Sequence, residues 1–135
     1  MKAFLLSATL LCTVALFAAE TPKPAAPAAR IRHVDAKAAE KLLKEDKSIV
    51  VLDVRTPKEY AAGHIPGATN LNFNARDFAA EVKQLDPKKT YLVHCAVGGR
   101  STRSLPMLGS AGLTNLIHLD GGYNAWKEAG GAEAK

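Results

Sequence analysis

The sequence predicts an α/β domain: a parallel five-stranded sheet with helices on both faces. Three observations carry this expectation. Short β-rich runs alternate with helical patterns from Ile31 onward, as expected for parallel strands joined by crossover helices. "SIVVLDV", Ser48 to Val54, is a nearly continuous apolar run, as a strand covered on both faces requires. The chain has 135 residues, 47% hydrophobic and 23% charged, which is enough for one compact core and too little for two.

The elements follow in order. "IRHV" is a short strand, and Asp35 can cap the helix "AKAAEKLLKED", whose apolar side carries Ala39, Leu42 and Leu43. Ser48–Val54 is the central strand. Thr56-Pro57-Lys58-Glu59 starts a short helix, with Thr56 as cap, Pro57 at the first helical position and Glu59 three residues after the cap; Gly63 ends it. After the turn "HIPGA" come a brief strand at Ala68 to Leu71 and a helix at Ala75 to Leu85, with Phe78, Val82 and Leu85 on one side. "TYLVH" is the next strand and Ser101 to Ala111 the next helix; "NLIHL" and "NAWKEAG" close the pattern. Pro106 falls inside its helix, where it removes a hydrogen bond and costs about 3 kcal/mol in a regular interior, so a kink or break is expected. In such sheets ligands bind beyond the carboxyl ends of the strands. Asp53 and Cys95 both fall there.

The first 19 residues stand apart. Lys2 precedes the apolar runs Ala3 to Leu11 and Val14 to Ala19, with no acid before Glu20, the pattern of a secretory signal peptide. Leu11 stands where lipidation of Cys12 would need a small residue. "ETPKPAAPAA", residues 20–29, reads as an extended Pro/Ala-rich spacer, which leaves 30–135 as the domain. The expected product is periplasmic or secreted, with no stable membrane span after processing. Without Lys2 it has 17 basic and 13 acidic residues, a formal charge of +4. The basic residues are dispersed, which argues against nucleic acid and is compatible with a small anionic substrate. His33, His64, His94 and His118 lie on different elements without ligand spacing, so no metal site is expected.

After processing Cys95 is alone, so it is reactive, intermolecular, or buried and inert. Its context is "YLVHCAVGGRST". Gly98 and Gly99 permit the backbone angles of a nest of inward N–H groups, and the helix starting near Ser101 adds free N–H groups and the positive end of its dipole. A thiol there has a depressed pKa, and Arg100 adds a permanent charge that can fork onto oxyanions. Ala96, Val97, Gly98, Gly99 and Arg100 are thus the candidate substrate-binding loop around the nucleophile Cys95.

Cys95-Ala96-Val97-Gly98-Gly99-Arg100-Ser101 matches C-x-x-G-x-R-S, and in this the chain resembles the rhodanese family of sulfurtransferases. "LDVRTPKEYAAGHIPGATNL", Leu52 to Leu71, and "LDGGYNAWKEAG", Leu119 to Gly130, resemble that family's other two segments. The resemblance implies a rhodanese-like fold and a persulfide mechanism without a cofactor. Cys95 takes the outer sulfur of a small anionic donor such as thiosulfate, then passes it to a thiophilic acceptor such as cyanide or a thiol. Loop amides stabilise the negative charge. Four residues separate Cys95 from Arg100, whereas cysteine phosphatases of the H-C-x5-R type have five, so phosphatase or arsenate reductase chemistry is the weaker reading. A persulfide carrier serving a protein sulfur acceptor is the other alternative. Asp53, Arg55 and Ser101 are supporting residues, the first two bracing the loop or pairing with neighbours. Glu59 caps its helix, His64 orders its turn, His94 points away from the nucleophile's side, Trp126 is core and Tyr123 contributes to the rim.

Overall fold

A computed structural model describes residues 27–135; the leader read at 1–19 and residues 20–26 of the spacer lie outside the described residues. Five strands, β1 (Arg30–Val34), β2 (Val50–Asp53), β3 (Thr69–Asn70), β4 (Thr90–His94) and β5 (Asn115–Leu119), alternate with five helices. The helices are α1 (Ala36–Glu45), α2 (Pro57–Ala62), α3 (Phe78–Val82), α4 (Gly99–Ser110) and α5 (Gly122–Glu128). The sheet has the order β1-β5-β4-β2-β3, and every pairing is parallel. Among the described residues no helix is long and apolar enough to cross a membrane.

The two-residue period of the strands divides the interior into two cores. Leu52, Tyr91, Val93, Cys95 and Leu116 face α3 and α4, meeting Phe78, Val82, Leu105 and Leu108. Val51, Leu92, Ile117 and Leu119 face the other way, onto Ala36 and Ala39 of α1 and Tyr123 and Trp126 of α5. β4 and β2 are central and nearly fully buried, which is why their sequences run apolar without alternation.

Local signals place the helix starts. Asp35 caps α1 by accepting the Ala38 amide at 2.8 Å. At α2, Thr56 Oγ1 accepts the Glu59 amide at 3.3 Å and Glu59 Oε2 accepts the Thr56 amide at 3.0 Å, a reciprocal capping box. The structure departs from expectation at α3, which is shorter than Ala75–Leu85. Its flanks are turns whose bonds span three residues: Phe78 to Ala75, Gln84 to Glu81 and Leu85 to Val82. Asp77 supplies no side-chain cap.

The expected break at Pro106 does not occur. α4 runs on from Gly99 to Ser110 through the proline. Leu105 and Leu108 are buried against the sheet while Pro106 and Met107 face outward, so the carbonyl that loses its donor lies toward water, where the loss is least costly.

Candidate active site

Cys95 follows β4 directly and is 1% exposed. The chain then turns into α4 through Gly98, whose φ of 114° lies in the left-handed half of backbone space, open to glycine and costly to other residues. That turn aims the Gly98 amide at Cys95 Sγ, 3.1 Å away, and brings Ser101 Oγ to 3.5 Å from the same sulfur. Burial pushes the thiol's pKa up, but hydrogen bonds from the Ser101 hydroxyl and from the Ser101, Gly98 and Val97 amides outweigh it, and the net shift is downward. Cys95 is therefore a sulfur whose surroundings favour the anion.

The opposite side of the loop is held by α5. The Tyr123 amide donates to the Cys95 carbonyl at 2.8 Å, and the Asn124 amide to the Ala96 carbonyl at 3.0 Å. With both carbonyls drawn toward α5, the loop's amides remain free to face the sulfur. This requires close approach at Gly122, where a Cβ would stand 2.5 Å from the Cys95 carbonyl oxygen. Along the loop Ala96 and Arg100 are half-buried, Gly99 is exposed and Val97 is 66% exposed.

Arg100 has a different partner from the oxyanion that sequence suggested. Its Nη1 and Nη2 donate to Glu59 Oε2 and Oε1 at 2.8 and 2.7 Å. This fork holds the Glu59 carboxyl at a pKa of about 2. Glu59 thus caps α2 and also anchors the far end of the loop. The partner lies 41 residues away, beyond the reach of local sequence reasoning.

Asp53 and Arg55 form a buried pair beneath the loop. Arg55 Nε lies 2.9 and 3.0 Å from the two Asp53 oxygens, and Nη2 donates to Oδ2 at 2.6 Å and to the Gly63 carbonyl at 2.8 Å. The guanidinium lies 4.0 Å from the centroid of the Tyr123 ring, which is buried rather than at the rim. The Tyr123 hydroxyl donates to Glu133 at 2.5 Å. His94 is fully buried on this side of the sheet, away from Ser101, with Nδ1 3.1 Å from the Cys95 carbonyl. Burial lowers its pKa, working against the charge that its 3.8 Å approach to Asp53 would favour. His64 orders its turn as expected, with Nδ1 3.0 Å from the Tyr60 carbonyl and its ring stacked on Tyr60.

Sequence reasoning missed His118 and Asp120. His118 is 3% exposed and sits directly behind the loop, its Nε2 2.9 Å from Ser101 Oγ and its Nδ1 2.7 Å from Asp120 Oδ1. His33 Nδ1 reaches the same Asp120 oxygen at 2.8 Å, because β1 and β5 pair with His33 opposite His118. Two imidazoles thus converge on one carboxylate oxygen at hydrogen-bond distance. The short spacing of His118 and Asp120 was visible in the sequence, but their direction toward Ser101 depends on strand register.

Fold and site together define a parallel α/β domain that presents a buried cysteine sulfur, bound by a backbone amide, just past the carboxyl end of its central strand. The rhodanese-like domain model matches residues 35–129, and the chain belongs to the rhodanese-like domain family. Thiosulfate sulfurtransferase GlpE of Pseudoalteromonas translucida is 36% identical over 100 residues, 73% of this chain and 90% of that relative. An uncharacterised Synechocystis protein is 36% identical over 88 residues, 65% of this chain; the match spans only 48% of that longer relative. The crystal structure of a rhodanese-related protein from Thermoplasma volcanium superimposes with a TM-score of 0.66 at 31% identity, covering 76% of this chain and 97% of the other.

Proposed function

We propose that the protein is an exported sulfurtransferase that carries sulfane sulfur through a persulfide on Cys95. The observation that carries this reading is the Cys95 sulfur itself, buried at the loop's base with the Gly98 amide at 3.1 Å and a pKa held below the ordinary thiol value. The thiolate attacks the outer sulfur of thiosulfate; a Cys95 S–S bond forms, the donor's S–S bond breaks, and sulfite leaves with the bonding pair. A thiophile such as cyanide then attacks the terminal sulfur, giving thiocyanate and restoring the thiolate. The amides of Ala96 to Arg100 bind the negative charge in both steps. Arg100 acts mainly by fixing the loop, since its fork is engaged by Glu59. Asp53, Arg55 and Ser101 support the same geometry.

A persulfide carrier handing sulfur to a protein acceptor is the second reading. The observation favouring it is Val97, an apolar side chain left 66% exposed on the loop that encloses the sulfur. The four-residue spacing between Cys95 and Arg100 supports sulfur over phosphoryl chemistry. Intact mass spectrometry after thiosulfate exposure tests the function: a gain of one sulfur on Cys95, removed by cyanide and absent in Cys95→Ser, is expected. Sulfur transfer retained by Cys95→Ser rules it out. Loading without turnover on cyanide or small thiols selects the carrier. In the same spectrum, a mass lacking about the first 19 residues is expected for the exported product.

A further inference from the structure

We propose that His118, oriented by Asp120, is a positioning residue that controls the Cys95 proton through Ser101. This rests on the reading of Cys95 as nucleophile and adds a device that the loop amides do not supply. The groups form an unbroken series: Asp120 Oδ1 to His118 Nδ1 at 2.7 Å, His118 Nε2 to Ser101 Oγ at 2.9 Å, and Ser101 Oγ to Cys95 Sγ at 3.5 Å.

The carboxylate fixes the tautomer. Asp120 can only accept, so His118 carries its proton on Nδ1 and a neutral ring turns the Nε2 lone pair toward Ser101. The Ser101 hydroxyl then donates to Nε2 and accepts from the Cys95 thiol. Transfer along the series breaks the S–H bond as an O–H bond forms on Ser101, and breaks the original Ser101 O–H bond as N–H forms on Nε2. The products are a thiolate and an imidazolium, and nothing else is consumed. In that state Nε2–H donates to Ser101 and Ser101 donates to the sulfur, so each group keeps a partner.

The competing acceptor is already occupied. Gly98 O lies 3.0 Å from Ser101 Oγ, but it accepts the Thr102 amide at 2.9 Å and the Thr102 hydroxyl at 2.8 Å. The groups facing His118 are Asp120 beyond its own strand, His33 on β1 with ring centroids 5.1 Å apart, Ser101 and Thr102 on α4, and Cys95 after β4. His94 lies across the sheet, where burial disfavours its charged form. His33 and Asp120 are more than half exposed while His118 is nearly sealed, which gives the relay an outlet to water at the end away from the sulfur.

The test is the pH profile of Cys95 alkylation by iodoacetamide, measured on the full chain and read at the Cys95 peptide by mass spectrometry. His118→Gln can still hydrogen-bond Ser101 but cannot take a proton; it is expected to move the midpoint up by about one pH unit, a roughly tenfold slower reaction on the acidic limb. Ser101→Ala is expected to do the same, and the double variant to do no more than either single one. A His118→Gln profile superimposable on the wild type overturns the proposal, as do losses that add in the double variant. If the variants do not fold, the nitrogen NMR titration of His118 decides: Cys95→Ser removes the thiolate and lowers the His118 midpoint, and an unchanged midpoint refutes the coupling. Neither readout needs a sulfur donor. Absence of a persulfide with the pH coupling intact therefore sinks the sulfurtransferase reading alone, and a persulfide without the coupling sinks the relay alone.

Discussion

Gly122→Ala isolates the close approach that shapes the loop from the backbone preference of glycine. Gly122 has φ 63° and Gly67 has φ 76°, so alanine at either site meets a comparable left-handed penalty of about 1–2 kcal/mol. The surroundings differ. A Cβ at Gly67 meets nothing within 4 Å, whereas at Gly122 it stands 2.5 Å from the Cys95 carbonyl oxygen and 2.7 Å from the Ala96 carbonyl. These are backbone atoms and cannot swing aside, so overpacking adds about 1–3 kcal/mol. Gly67→Ala should thus cost about 1–2 kcal/mol and Gly122→Ala about 2–5 kcal/mol in urea unfolding. Displacing the carbonyls also loosens the bonds from Tyr123 and Asn124, so Gly122→Ala should slow Cys95 alkylation near neutral pH while Gly67→Ala leaves it unchanged. Equal stability losses, together with unchanged alkylation in Gly122→Ala, would refute the idea that α5 holds the loop open.

Arg55→Ala leaves the fully buried Asp53 carboxylate without its partner and should destabilise by about 3–5 kcal/mol in urea unfolding. Arg55→Lys should not restore the loss, because the contact is forked; full recovery by lysine would count against that geometry. Glu59, with its carboxyl at about 2 rather than 4.5, stabilises the fold above its ordinary value and loses that contribution as pH falls toward about 2. The urea midpoint should therefore fall more steeply on acidification in wild type than in Glu59→Gln. The pair is partly exposed, so the neutral-pH difference should be only about 0.5–1 kcal/mol, and parallel acid limbs would show that the pair contributes nothing. Pro106→Ala restores a missing helix donor on the exposed side of α4 and should stabilise by up to about 3 kcal/mol; a lower thermal midpoint would show that the helix has adapted to the proline.

What the sequence revealed depended on the range of the physics involved. The Thr56–Glu59 capping box, the Asp35 cap and the two-faced burial of β2 are set by neighbours a few residues apart, and all were readable. The sulfur's anionic setting was readable too, because the glycine turn and helix start adjoin Cys95. The grip of Glu59 on Arg100 and the line from Asp120 through His118 to Ser101 were not, since they depend on which strands lie side by side and which face each presents. α3 fell between these cases. Phe78, Val82 and Leu85 have helical spacing and do reach the core, but the spacing cannot tell one turn of helix from a series of tighter turns.

The residues after α5 return to the start of the α2–β3 turn. Trp126 Nε1 donates to the Ala132 carbonyl at 2.8 Å, and His64 and Ala134 exchange amide-to-carbonyl bonds at 2.9 and 2.8 Å. The segment works as a clasp between regions about 70 residues apart in sequence. Mechanical load applied through the C-terminal segment would reach the turn after α2 first. Cys95, in the loop directly after a strand interior to the sheet, would be shielded from that pull until the clasp opened.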